Sequence, residues 1–146
     1  GAAWAGTAIE NSMLGAAHSA ANPLTAHFGI AHGQAVGMLL PHVVRFNARE
    51  PEVTQTYAEL ASDAKIARSS ETPELNAEHL ANRLEQLLDL AGLPRSLKDF
   101  SVEDKDIPGL AKEAAAQWTA QFNPRTLAAA DFEKIYADAL VLAKRA

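Results

Sequence analysis

The sequence predicts an all-α protein, a helical bundle of about five to six helices. The 146 residues are 48% hydrophobic but only 6% aromatic. The apolar content is therefore mostly Ala and Leu, which suits closely packed helices better than a β-sandwich. Apolar residues recur every three or four positions, and no segment shows the alternation typical of a strand. The even composition contains no linker or repeat, so residues 1–146 are predicted to form a single helical domain.

The first predicted helix is "WAGTAIENSMLGAAHSAA", from Trp4 to Ala21. Its small and apolar residues at helical spacing indicate a buried helix; they are Ala5, Ile9, Met13, Ala16 and Ala17. Asn22 and Pro23 are predicted to end it, because a proline biases the preceding residue away from helical angles. The second helix covers about 33–47, and Pro41 is expected to kink it or to end its first part.

Four more helices follow from start and stop signals along the chain. One begins at Pro51 and covers about 51–67. The next has Asn76 as its N-cap, an apolar stripe through 80–91, and Gly92 and Pro94 as its stop. Another is opened by Pro108 and ended by "NPR" at 123–125. The last begins near Thr126 and ends at Lys144 and Arg145; its predicted core face comprises Phe132, Ile135, Tyr136, Ala139 and Leu140.

Composition excludes several classes of function. A net charge of -5 and a pI near 5.5 predict no nucleic-acid partner, since no basic stripe is available to neutralise phosphates. No apolar run approaches the ~20 residues that span a bilayer, and no leader segment is recognisable, so we expect a cytoplasmic protein without a membrane partner. The chain has no cysteine. Any metal must therefore be held by His, Asp or Glu.

Three of the five histidines lie in "LGAAHSAANPLTAHFGIAHGQ" at 14–34. On one unbroken helix, His18 and His32 would be ~21 Å apart. A shared ion requires a nitrogen of each ring within ~2.1 Å, so the chain must reverse between them. Asn22-Pro23 and the glycines around 29–33 are predicted to supply that reversal. The spacing permits a two-histidine half-site, and a purely structural role for these histidines remains the alternative.

The position of each histidine relative to its helix predicts its charge state. His32 lies at or just before the start of the second helix, where the positive helix end favours the neutral ring that a metal requires. His18 is expected near the C-terminal end of the first helix, where the field has the opposite sign. His42 and His79 are interpreted as structural, and the sequence assigns no role to His27.

The string "AGTAIENSMLGAAHSAANPLTAHFGIAHGQAVGMLLPHVVRFN" resembles the metal-site segment of the iron-containing (group III) alcohol dehydrogenases. The later "LAGLP", and "NPR" followed by an apolar terminal helix, are similar to the C-terminal half of that family in order and spacing. The resemblance implies the fold of a dehydroquinate-synthase-like C-terminal domain. It also implies reversible oxidation of a primary alcohol to an aldehyde.

In that family an N-terminal α/β domain binds NAD or NADP, and the helical domain binds a divalent metal such as Fe²⁺ or Zn²⁺. The resemblance implies that His18 and His32 are metal ligands, and that the parent protein is a homo-oligomer acting on a small alcohol or aldehyde. Asn22 takes the position where many members carry a further active-site histidine, which makes it the candidate catalytic residue. An asparagine can form hydrogen bonds there but cannot shuttle a proton near neutral pH.

Two family features are missing from the sequence. No Asp or Glu stands four residues before any histidine, so the family's Asp-x-x-x-His ligand pair is absent, and so is a Gly-rich nucleotide-binding motif. The chain is therefore interpreted as the C-terminal helical part of such an enzyme, without its nucleotide-binding domain and inactive by itself. The alternatives are a stand-alone helical interaction module without catalysis, or a fragment of a related glycerol dehydrogenase or maleylacetate reductase.

Overall fold

The computed structural model of the protein describes residues 1–68 and 70–141. These residues form helices, turns and loops without a β-strand, which confirms the predicted all-α class. Seven α-helices occur in the described ranges: α1 (Ala2–Ser12), α2 (Ala16–Phe28), α3 (His32–Asn47), α4 (Pro51–Asp63), α5 (Pro73–Leu90), α6 (Ile107–Ala115) and α7 (Ala129–Leu140). Three short 3₁₀ turns lie at Leu97–Phe100, Asp104–Asp106 and Trp118–Phe122.

The first predicted helix is two helices, α1 and α2. Met13 adopts φ 61°, in the left-handed region, and its N–H donates to the Ile9 carbonyl, so α1 ends there. The prediction of a buried helix is correct for Ala16 and Ala17, which lie in α2, and wrong for α1, none of whose residues is buried. Trp4 keeps 80% of its surface exposed.

The chain reverses later than Asn22-Pro23. Helix α2 continues through Pro23, which is itself buried, and ends at Gly29 with φ 64° and an N–H donated to the Thr25 carbonyl. A proline inside a helix removes one backbone hydrogen bond. Burial of the Pro23 ring against the core offsets that loss, so the predicted end of the helix was wrong and the turn falls at Gly29–Ala31.

Helix α3 begins at His32 and ends at Asn47, within one residue of the prediction. It continues as one helix through the buried Pro41. A Cβ added at Gly37 would lie 3.2 Å from a methyl carbon of Leu88. The glycine therefore allows α3 to pack closely on α5.

Helix α5 starts earlier than predicted. Thr72 is its N-cap, accepting a hydrogen bond from the Leu75 N–H, and Pro73 occupies the first turn. Asn76 is therefore a buried residue within the helix, and the prediction that it caps the helix was wrong. The helix stops at Ala91 and Gly92, as predicted.

The helix opened by Pro108 is shorter than predicted, since α6 ends at Ala115 and a 3₁₀ turn occupies Trp118–Phe122. The core face predicted for α7 is confirmed, because all five of its residues are buried. The predicted basic end of that helix, Lys144 and Arg145, lies outside the described residues.

The main core is formed by α2, α3, α6 and α7. Tyr136 of α7 is fully buried and donates its hydroxyl to the Ala20 carbonyl of α2 at 2.6 Å. A smaller cluster joins α3 to α4 and α5 through Val44, Ala61, Leu80 and Ala81. This packing fixes α2 and α3, the two helices that carry the histidines of interest.

None of the helices in the described ranges is both long enough and apolar enough to cross a membrane.

Candidate metal centre

The structure brings His18 and His32 together. His18 is the third residue of α2 and His32 is the first residue of α3, with the Gly29–Ala31 turn between the two helices. Their imidazole centroids are 5.3 Å apart and the ring planes are inclined by 47°. The reversal that the spacing requires is therefore present, although at a later position than predicted.

This separation suits a shared metal ion. An ion about 2.1 Å from a ring nitrogen lies about 3.2 Å from that ring's centroid, so two rings at a tetrahedral angle have centroids roughly 5.2 Å apart. The observed 5.3 Å matches that value. The distance between the two ring centroids is thus compatible with two ligands of one ion.

The electrostatic environment of His18 differs from the prediction. His18 lies in the first turn of α2, not near its C-terminal end, because α2 begins at Ala16 and continues past Pro23. The positive end of α2 therefore disfavours an imidazolium at His18. Burial, with a smaller contribution from the neighbouring His32, lowers the pKa of His18 below its usual value. A neutral imidazole, the form that binds a metal, is favoured at this position.

The two imidazoles could supply at most part of a metal's coordination in the described chain. Within residues 1–68 and 70–141, no group of three or more His, Cys, Asp or Glu side chains could hold a metal ion. His27 is paired with Glu113 at 2.9 Å on the surface, and His79 lies 3.5 Å from Glu71. A divalent ion usually takes four or more ligands, so two imidazoles fit such an ion but do not complete its coordination.

Asn22 lies four residues after His18, on the same face of α2. Its side-chain N–H donates to the Gln117 side-chain oxygen at 3.0 Å. Gln117 immediately precedes the 3₁₀ turn at Trp118–Phe122, and Thr119 in that turn forms a buried hydrogen bond of 2.8 Å with Ser19. The segment between α6 and α7 therefore holds the face of α2 that carries His18 and Asn22.

Sequence reasoning missed Gln117 and Thr119, which it placed inside a longer helix. The only available signal was the "NPR" triplet, which indicated an interruption but not its contacts.

Comparisons with known proteins identify the family of this chain. Residues 1–140 match the model of the Fe-containing alcohol dehydrogenase family, C-terminal. The 1-propanol dehydrogenase PduQ of Citrobacter freundii is 33% identical over 142 residues, which cover 93% of this chain and 38% of that protein. The NADPH-dependent butanol dehydrogenase of Clostridium saccharobutylicum is 29% identical over 136 residues, covering 90% of this chain and 34% of that protein.

The solved structure of an alcohol dehydrogenase from Oenococcus oeni superposes with a TM-score of 0.84 and 30% identity, over 92% of this chain and 35% of that one. The chain spans 34–38% of the length of these three relatives and 17% of the bifunctional aldehyde-alcohol dehydrogenase AdhE of Escherichia coli, to which it is 28% identical over 151 residues. The matched family model covers nearly the whole chain, and the helices of a solved member superpose on those described above. The chain therefore belongs to the iron-containing alcohol dehydrogenase family and corresponds to the C-terminal part of its members.

Proposed function

We propose that this chain is the metal-binding helical domain of an NAD(P)-dependent alcohol dehydrogenase that interconverts a primary alcohol and an aldehyde. The observation that carries the proposal is the 5.3 Å separation of the His18 and His32 rings. Relatives named as 1-propanol and butanol dehydrogenases support a short primary alcohol as the substrate class.

His18 and His32 would hold the ion through one nitrogen each. A bound Fe²⁺ or Zn²⁺ supplies a Lewis acid that lowers the proton affinity of an alcohol oxygen. Imidazole ligands suit both ions, so ligand type does not select between them. The protein's contribution is to keep His18 neutral, through burial and the start of α2, and to hold both rings at a fixed separation.

Asn22 would line the same site. Its amide forms hydrogen bonds but does not titrate, so a proton relay through this position is not available. We propose that Asn22 orients a polar group of substrate or cofactor, and that Gln117 orients Asn22 through the 3.0 Å hydrogen bond.

NAD or NADP would bind outside residues 1–146, since the sequence holds no Gly-rich nucleotide motif. A relative described as NADPH-dependent supports a nicotinamide cofactor of this kind. The remaining metal ligands and the cofactor site would come from other parts of the parent protein.

Zinc titration of paired histidine variants tests the metal site. The double variant His18→Ala/His32→Ala should lower the affinity for Zn²⁺ by at least about tenfold in calorimetry, because both nitrogens are lost. The matched control is His27→Ala/His79→Ala, which removes two histidines that pair with carboxylates elsewhere and should leave the affinity unchanged. An affinity unchanged in the first double variant would contradict the metal site and favour a stand-alone helical module.

A further inference from the structure

The side chain of Asn123 joins three separate parts of the chain. Its Oδ1 accepts a hydrogen bond from the Ala16 N–H at 3.3 Å and from Asn47 Nδ2 at 3.2 Å. Its Nδ2 donates to Asn47 Oδ1 at 2.7 Å and to the Arg125 carbonyl at 2.6 Å. One amide therefore uses both of its polar atoms to link the start of α2 with the end of α3.

The surroundings leave this amide little freedom. Asn47 is almost fully buried, with 2% of its surface exposed, and it also donates to the Tyr57 hydroxyl. A Cβ added at Gly15 would lie 3.2 Å from Asn123 Oδ1, so the absence of a side chain at Gly15 makes room for the amide. Asn123 itself is half-buried, and an amide with this many partners is held in one orientation.

Arg125 strengthens the same junction. Its guanidinium donates to the Phe46 carbonyl at 2.8 Å and lies over the Phe46 ring, 3.9 Å from the centroid. The "RFN" at 45–47 and the "NPR" at 123–125 thus contact each other directly, which the sequence alone did not show.

The junction determines where the two histidines lie. Ala16 is two residues before His18 in the first turn of α2, so the Asn123 contact fixes the turn that carries this ring. Asn47 is at the opposite end of α3 from His32, about 22 Å away along an ideal helix. A tilt of α3 by about 3° at that end would move His32 by roughly 1 Å, which exceeds the tolerance of about 0.5 Å for a metal ligand.

We propose that Asn123 is a positioning residue that sets the separation of the His18 and His32 rings. It does so through the α2 and α3 backbones and makes no contact with either ring. Its importance for metal binding rests on the proposed function, whereas its effect on the ring separation does not.

The first test is made without metal, by NMR of the 146-residue chain. The native protein should give a cross-peak between ring protons of His18 and His32, because their centroids are 5.3 Å apart. Asn123→Ala should weaken that cross-peak at least about threefold, since four hydrogen bonds at the junction are lost. The control is Asn76→Ala in α5, which removes a buried amide that donates to the Arg68 carbonyl and should leave the cross-peak unchanged.

A second variant keeps the test valid if Asn123→Ala does not fold. Gly15 has an extended backbone that alanine adopts without strain, so Gly15→Ala should fold while its new methyl displaces Asn123 Oδ1. It should weaken the same cross-peak. The proposal would be overturned if a variant that folds gave a cross-peak of native intensity. It would also be overturned if the native chain gave no cross-peak between the two rings.

Zinc titration of the same variants then separates the two proposals. Asn123→Ala should bind Zn²⁺ about tenfold more weakly than the native chain, as expected when a group that orients a ligand is removed. A native chain that binds no zinc, but whose cross-peak depends on Asn123, would refute the metal site and leave the positioning role intact. A variant with a weakened cross-peak and native zinc affinity would support the effect of Asn123 on the ring separation and contradict its importance for metal binding.

Discussion

His18 shows how the charge state of a single residue depends on where its helix begins. The spacing of His18 and His32 required a chain reversal if the two rings were to meet, and the structure contains one. His18 was expected near the C-terminal end of its helix, because Pro23 was expected to stop α2. Pro23 instead lies buried within α2, and His18 is in the first turn. The need for a reversal could be read from the fourteen-residue spacing, because that spacing depends on covalent geometry alone. The electrostatic field of the helix end at His18 could not be read from the sequence, because it depends on tertiary packing that stabilises a proline inside a helix.

His42 provides a pH-dependent prediction. Burial, and secondarily the positive charge of Arg45, lowers the pKa of His42 below its usual 6.5. The unfolded chain therefore binds more protons than the folded chain as the pH falls through 6.5 towards the folded pKa. The stability contributed by neutral His42 is therefore complete above pH 6.5 and is lost as the pH falls from 6.5 to below the folded pKa. His42→Gln should show a smaller loss of unfolding free energy than the native chain between about pH 8 and about pH 5.

Urea unfolding at a series of pH values measures this difference. For each protein, the free energy of unfolding at every pH is expressed relative to its own value at the highest pH. This removes any pH-independent effect of the substitution. Parallel pH profiles for the native chain and His42→Gln would contradict the assignment.

At the level of elements, a charged cluster joins α3 to α5 and to the segment after it. Arg45 of α3 and Arg95 both pair with Glu85 of α5, the second contact at 2.8 Å, and only 8% of the surface of Glu85 is exposed. Removing the shared carboxylate would leave two guanidinium groups close together and partly buried.

Glu85→Ala should therefore lower the free energy of unfolding by about 3 kcal/mol. The control is Glu78→Ala, whose carboxylate also pairs with Arg45 but whose side chain is 45% exposed, and which should cost less than about 1 kcal/mol. Chemical denaturation of both variants measures the difference. Equal losses would show that the buried network does not stabilise the contact between α3 and α5.

The elements differ in how well the sequence predicted them. Helix α3 and the core face of α7 were predicted closely because their apolar faces are continuous, whereas α7 begins later than predicted and ends at Leu140, before the predicted Lys144 and Arg145. The division between α1 and α2 could not be predicted, since Met13 is an unusual residue for a left-handed conformation. The start of α5 could have been predicted from the sequence, because Thr72 followed by Pro73 is a recognised beginning of a helix. The contacts of Gln117, Thr119 and Asn123 with α2 join residues about 95 to 107 positions apart, which no local pattern reports.

At the scale of the whole molecule, we propose that the chain supplies one part of a catalytic site. The two histidines approach each other within a packed core of α2, α3, α6 and α7. Helix α1 buries none of its residues, and the chain covers 38% of the 1-propanol dehydrogenase and 34% of the butanol dehydrogenase. On the proposed function, the described helices support half of a metal site.

This incompleteness predicts a lack of turnover. The purified chain, supplied with Zn²⁺ or Fe²⁺, NAD⁺ or NADP⁺ and 1-propanol, should produce no reduced nicotinamide, because neither a complete ligand set nor a nucleotide site is present in the sequence. Absorbance of the reduced cofactor measures the rate, with buffer and metal alone as the blank. Turnover above that blank would contradict the view that other parts of the parent protein are needed.

The central claim is that His18 and His32 share one metal ion, and anomalous diffraction from crystals of the chain grown with Zn²⁺ tests it most directly. The account predicts one zinc peak between the two rings, about 2.1 Å from a nitrogen of each. Zinc bound to only one of the two rings, or found elsewhere with no peak between them, would contradict it.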